Sequence, residues 1–185
     1  MDLIKEYNKI KNPIDLLYFM NSNINYGFID SNNNIYYDNS KWFDKYMLQD
    51  TNDILSSGVG NCFDQVELER DWFSKNKYKF TVYFQNIDLD YNNPYPMHTF
   101  LVYEDNNKYY WFENAWLDNK GIYEYSSLDD LLKDVYEKSI LLYKSYNIKE
   151  EEINKYSLYI LEKPMYHSNA LEYIKFCSKM KKINN

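Results

Sequence analysis

The amino-acid sequence predicts an α+β domain in which helices flank a central run of antiparallel strands. Three observations carry that prediction. Apolar residues recur at helical spacing upstream of residue 75 and again from residue 128. Between them lie segments rich in aromatic and β-branched residues, expected as strands over Lys79 to Phe84, His98 to Glu104 and Lys108 to Trp116. The 185 residues include only 4 Gly and 4 Pro, which rules out collagen-like and linker-rich chains. With no internal repeat or low-complexity break, one domain spanning residues 1–185 is expected.

Taken in order, Pro13 suits the first turn of a helix whose apolar stripe is Ile14, Leu16, Leu17, Phe19 and Met20. Residues 30–39 form a polar loop around a short strand at Ile35 to Tyr37. Lys41 to Leu48 reads as a short helix carrying Trp42, Phe43, Tyr46 and Met47, and SSGVGN at 56–61 as a turn. The segment CFDQVELERDWFSKN has helical periodicity, with Phe63, Val66, Arg70 and Phe73 along one side. Asn61 suits its N-cap and Asp64 its first turn, where a carboxylate meets the positive end of the helix. After the three strands come a helix from Leu128 to about Tyr143, a strand from Ser157 to Leu161 and a last helix from Asn169 to Lys181.

Charge and composition exclude several classes of function. The balance of 28 acidic against 21 basic residues, net −7, repels phosphate backbones, so no nucleic-acid partner is expected. The basic cluster Lys179, Lys181 and Lys182 reads as a solvated helix end. No apolar run reaches the roughly 18 residues of a membrane span. No membrane partner is therefore expected, and the start, MDLIKEYNKIKNP, lacks the features of a secretion signal, so a cytoplasmic location, or delivery without a classical signal, is expected. Aromatic residues reach 19%, with 22 Tyr. Only Cys62, Cys177, His98 and His167 represent their types, and nothing resembles CxxC or HExxH, so neither metal nor cofactor is expected.

That scarcity isolates the residues able to do chemistry. Cys62 follows a Gly-containing loop and opens a helix, where free N–H groups favour a thiolate and could hold an oxyanion. His98 opens a hairpin with its turn in Glu104-Asp105-Asn106-Asn107. A two-residue loop (105–106) or a four-residue loop (104–107) sets Glu113 opposite His98, where a carboxylate can orient the imidazole. A three-residue loop sets Asn114 there instead; Glu113 is preferred. Gln65, one turn from Cys62, and Gln49, upstream of it, are further candidates for the cleft, and Trp116 for its wall. Glu67 and Arg70 read as a surface ion pair, Cys177 as core and His167 as a loop residue.

On these residues the chain resembles the transglutaminase-like superfamily within the papain-like cysteine fold. The matching residues are Cys62 in GVGNCFDQVELER, His98 in HTFLVYEDNNKYYWF and Glu113 in WFENAW, where that superfamily usually has Asp. The resemblance covers residues 55–120 best, and extends loosely over the chain to the GIYEYSSLDDLL stretch at 121–132, which is like one in uncharacterised, mainly Firmicutes, members. It implies a catalytic Cys62 at a helix start packed on an antiparallel sheet, with His98 as base and Glu113 as its orienting acid. The implied activity is metal-independent hydrolysis or acyl transfer at an amide or ester of a peptide, protein or small molecule. Peptidase, deamidase, amidase and amine-linking activity are not separated by it. The competing expectation is a binding module on the same fold with an unused triad; a scaffold using exposed Tyr residues is a third. Oligomeric state is not legible.

Overall fold

A computed structural model of the chain describes residues 2–87 and 96–183. Helices α1 (Leu3–Tyr7) and α2 (Pro13–Asn23) come first, α2 capped by Asn12 and started by Pro13. Strands β1 (Phe28–Ile29) and β2 (Ile35–Tyr36) pair in a small antiparallel ribbon. Helices α3 (Trp42–Lys45), α4 (Thr51–Ser57) and α5 (Cys62–Lys75) follow. Strands β3 (Lys79–Asn86), β4 (His98–Asp105), β5 (Lys108–Glu113) and β6 (Gly121–Tyr125) lead into α6 (Leu128–Ser145). The chain ends through α7 (Glu150–Ile153), β7 (Ser157–Ile160), α8 (Ala170–Cys177) and β8 (Lys181–Ile183). The six larger strands form one antiparallel sheet in the order β6-β5-β4-β3-β7-β8, and the class is α+β.

Strand alternation gives this sheet two apolar faces. Val82, Phe84, Leu101, Tyr103 and Phe112 share a core with Phe63, Val66, Leu68, Trp72 and Phe73 of α5. Tyr83, Phe100, Val102 and Trp111 pack instead with Leu131, Val135 and Tyr143 of α6. Both helices therefore press on the central strands, and the ends of those strands lie between α5 and α6.

Several elements depart from the sequence expectation, each for a local reason. The short helix stops at Lys45 rather than Leu48 because Tyr46 turns extended and Leu48 exchanges backbone hydrogen bonds with residues 167 and 168. Part of the SSGVGN turn belongs to α4, which has an Asp50/Asp53 capping box and ends on Gly58 at φ +65°. β5 ends at Glu113 instead of Trp116, and GIYEY supplies the added strand β6. The last helix ends at Cys177, so Lys181 and Lys182 lie on edge strand β8 beside β7 and not on a helix end.

The β4–β5 hairpin is shifted by two residues from expectation. Its turn is Asn106-Asn107, both at positive φ (49° and 61°), and the ladder runs from Asp105↔Lys108 to Leu101↔Phe112. A two-residue loop of that hand needs φ > 0 twice, which Asn tolerates far better than Asp105 followed by a single Asn would. Continued outward, this register sets Ala115 opposite His98, and Glu113 becomes its diagonal neighbour. The shift is even, so His98 and Glu113 keep to one face.

The turn yields a direct test. Asn107→Gly is expected to raise stability by up to about 1 kcal/mol, since Gly meets no steric penalty at positive φ. Asn107→Val is expected to lower it by more than about 1 kcal/mol. Urea midpoints of the two variants against wild type check both.

Candidate active site

The loop before α5 is held from outside. Asn25 N–H donates to Gly58 O (2.8 Å) and Gly60 N–H donates back to Asn25 O (3.0 Å), laying residues 25–27 along the approach to Cys62. The fit is tight at Gly27, where a Cβ would come within 2.6 Å of Tyr36 O, so no larger residue enters without displacing backbone. Asn61 then caps α5 by accepting from Phe63 N (2.9 Å) and Asp64 N (3.3 Å). Asp64 closes the capping box by accepting from Asn61 N (3.0 Å), and its other oxygen accepts from Tyr46 Oη and Gln49 N, each at 3.0 Å. Burial pushes the Asp64 pKa up to about 7, although these donors favour the ionised form.

Cys62 occupies the first position of α5 and is 6% exposed. Its carbonyl accepts from Thr99 Oγ1 at 2.7 Å, which ties the helix start to the residue after His98. Thr99 points to the α5 side of β4 and His98, one residue earlier, to the α6 side. The Cys62 sulfur lies 4.0 Å from the carbonyl oxygen of Met97, the residue before His98, and Cys62 and His98 line one cleft. His98 Nε2 lies 2.7 Å from Glu113 Oε2, which leaves Nδ1 as its other ring nitrogen. Glu113 is buried, and its second oxygen accepts from Ala115 N and Trp116 N, each at 2.8 Å. The turn after β5 thus fixes the carboxylate that fixes the ring. Trp116 packs edge-on against the imidazole with ring centroids 5.5 Å apart.

Burial opposes a charged imidazole, but the Glu113 carboxylate and the neighbouring Cys62 outweigh it and raise the His98 pKa to about 10. An imidazolium that persists through neutral pH is the counter-charge a thiolate needs. Tyr26 adds a polar group to the cleft lining; its side chain is partly exposed, and partial desolvation together with the negative groups nearby raises the pKa of its hydroxyl. Nothing in NINYGF distinguishes this Tyr from the others in a Tyr-rich chain; only its place before the constrained Gly27 hints at a fixed position.

The other candidates have different roles. Asn114 turns away from the histidine and donates to Gln65 Oε1 (2.7 Å), while Gln65 Nε2 donates to Gly60 O (2.8 Å). The pair braces the end of β5 against the loop before α5, so Gln65 is not a cleft residue. Gln49 is fully buried, donating to Val59 O (2.9 Å) and accepting from Ser57 Oγ (2.9 Å), and it also lies outside the cleft. The Glu67–Arg70 pair is buried and not on the surface; Arg70 Nε reaches Glu67 at 2.7 Å and its guanidinium also donates to Leu161 O and Glu162 O. Burial raises the Glu67 pKa, with Arg70 opposing. Glu69 is likewise buried on α5, and its pKa is pushed well above the carboxylate range by burial and by Glu113. Cys177 is core.

A cleft of about 740 Å³ opens over Cys62 and His98, lined also by Tyr26, Trp42, Phe63, Trp116 and the C-terminal turn of α6. Trp116 forms part of the wall, as expected. Asp50, Asp53 and His167 bring possible metal-ligating atoms within 4.8 Å of one another, away from this cleft. Both aspartates already form the α4 capping box, so the group reads as an exposed charge cluster. No described helix is long and apolar enough to cross a membrane. Comparisons with protein-family models, curated proteins and solved structures give no match for this chain.

The raised histidine has a consequence for stability. Its folded pKa of about 10 exceeds the ordinary 6.5, so its contribution is fully present below pH 6.5 and is lost as pH rises through 10. Wild-type stability should therefore fall more steeply over that window than stability of His98→Gln. Urea midpoints measured at intervals across it provide the comparison, and equal slopes would contradict the His98–Glu113 coupling.

Proposed function

We propose that this chain is a cysteine hydrolase or acyltransferase of the transglutaminase-like kind, acting through Cys62, His98 and Glu113. The observation that carries the reading is the 2.7 Å contact between the His98 imidazole and the Glu113 carboxylate in a cleft that Cys62, at the start of α5, also lines. The antiparallel sheet under a helix that opens on the cysteine supports a papain-like arrangement.

In the proposed chemistry His98 accepts the thiol proton and Glu113 stabilises the imidazolium. The thiolate attacks a substrate carbonyl carbon; the C–S bond forms and the C=O π pair moves to oxygen. That oxyanion has donors nearby: the Cys62 backbone N–H, at a helix position with no intrahelical acceptor, and the Tyr26 hydroxyl. Collapse expels the amine or alcohol, which takes the proton from His98 and leaves a thioester on Cys62. Water or an amine then attacks the thioester, gives its proton to His98, and the thiol is regenerated. A water acceptor gives hydrolysis or deamidation, and an amine acceptor gives transamidation.

Labelling tests the nucleophile directly, whatever the substrate. Iodoacetamide at pH 6.5 should alkylate Cys62 and not the buried Cys177, and the rate should drop at least about tenfold in His98→Ala. A thiol that titrates as an ordinary cysteine near pH 8.5, with no turnover of amides or esters, would favour the binding module instead.

Two substitutions separate the orienting residue from the brace. In a screen against amide, ester and amine-acceptor substrates with a Cys62→Ser control, Glu113→Gln should reduce turnover by about 10²-fold or more. Asn114→Ala should reduce it less and mainly lower stability, because the Gln65 brace is lost.

A further inference from the structure

Strand β4 meets α5 in two ways. Leu101 and Tyr103 pack into the core they share with Phe63, Val66 and Phe73. At the start of the strand the contact is polar, where the buried Thr99 hydroxyl donates to the Cys62 carbonyl at 2.7 Å. Among the described residues this is the one hydrogen bond between α5 and β4. The other polar ties of the helix start lead elsewhere. Asp64 reaches Tyr46 and Gln49, while Gln65 reaches Gly60 O and Asn114 beyond the end of β5.

The Thr99 bond exceeds what the fold requires. Cys62 is the first residue of α5, so its carbonyl already has a partner in the helical ladder, the N–H four residues on. A valine in place of Thr99 has nearly the same shape, suits a strand and brings no polar atom into the core. Loss of the hydroxyl therefore leaves no acceptor stranded. What the bond controls is position. Residues 97 and 99 flank the histidine, and Cys62 meets both: its carbonyl accepts from Thr99, and its sulfur lies 4.0 Å from Met97 O. Cys62 is thus fastened on either side of the residue that carries the imidazole, while Glu113 fixes the ring itself.

We infer that Thr99 is a positioning residue that holds Cys62 in register with His98. It touches no substrate and acts through the backbone of the nucleophile. Resting on the acyl-transfer reading of the pair, this role predicts that without the hydroxyl the fold persists while thiol and imidazole lose alignment.

Alkylation of Cys62 by iodoacetamide, followed by peptide mass across the pH range, reads the alignment without requiring turnover. Thr99→Val should slow the reaction at pH 6.5 by at least about fivefold and move the thiol titration up toward that of an ordinary cysteine. Its urea midpoint should fall by less than about 1 M. Thr99→Ser, which keeps the hydroxyl, should stay within about twofold of wild type in rate. In a His98→Ala background, Thr99→Val should change the rate by less than about twofold, because the partner it aligns is gone. If Thr99→Val does not fold, Thr99→Ala makes the same comparison.

A Thr99→Val protein with the rate and titration of wild type would overturn the role, as would a Ser variant no better than Val. An equal loss with and without His98 would reduce Thr99 to a packing residue. A Thr99-dependent thiol without turnover of any amide or ester counts against acyl transfer alone. Turnover that Thr99→Val leaves unchanged counts against the positioning role alone.

Discussion

A helix that starts inside a protein must find its hydrogen-bond partners there, and α5 is such a helix. From Cys62 to Glu69 every side chain is buried, including those of Asp64, Gln65, Glu67 and Glu69. An unpaired polar group in that setting costs on the order of 1–3 kcal/mol, so the surrounding chain is arranged to supply partners. Residues 46–49 turn toward Asp64, the end of β5 supplies Asn114 to Gln65, and Arg70 folds back on Glu67 while gripping the chain after β7. Removing one member of a buried pair such as Glu67–Arg70 costs about 3–5 kcal/mol. The position of Cys62 is thus set by satisfaction of polar groups on the helix it opens.

The same constraint shapes the candidate site. Glu113 commits one oxygen to two backbone amides and the other to His98, so its charge is directed along a single line toward the imidazole. Thr99 holds the Cys62 carbonyl from the opposite side of the strand. Helix and strand are therefore locked together beside the end of the strand that carries His98, and small motions of either move both. Preorganisation of this kind, more than any single contact, is what supports reading the cluster as a reaction centre.

Much of this is legible in the sequence. Helix α5 and its caps follow from Asn61, Asp64 and an apolar period; rarity narrows the candidates to two Cys and two His, and the helix start and hairpin start pick out Cys62 and His98. Glu113 follows from a hairpin register two residues out, and survives because the error is even and leaves the side chains on the correct face. Two consecutive asparagines mark the true turn. Less visible are the features decided by tertiary burial. The polar residues of α5 look like a solvated face, and nothing local says that the helix is covered all round. The strand β6 and the edge strand β8 exist because neighbouring strands offer open ladders, a partner that short segments such as Gly121–Tyr125 do not announce. Tyr26 is hidden by the abundance of its own kind.

The walls of the cleft come from segments spread between Tyr26 and Tyr146. In a chain emerging from the ribosome, Cys62 appears well before His98, Glu113 and the end of α6, and until those arrive it is a common thiol without a base, an orienting acid or a roof. On the proposed reading, nucleophilic power is then a property of the finished tertiary structure and comes late, so incomplete or locally unfolded copies would react little with the acyl groups around them.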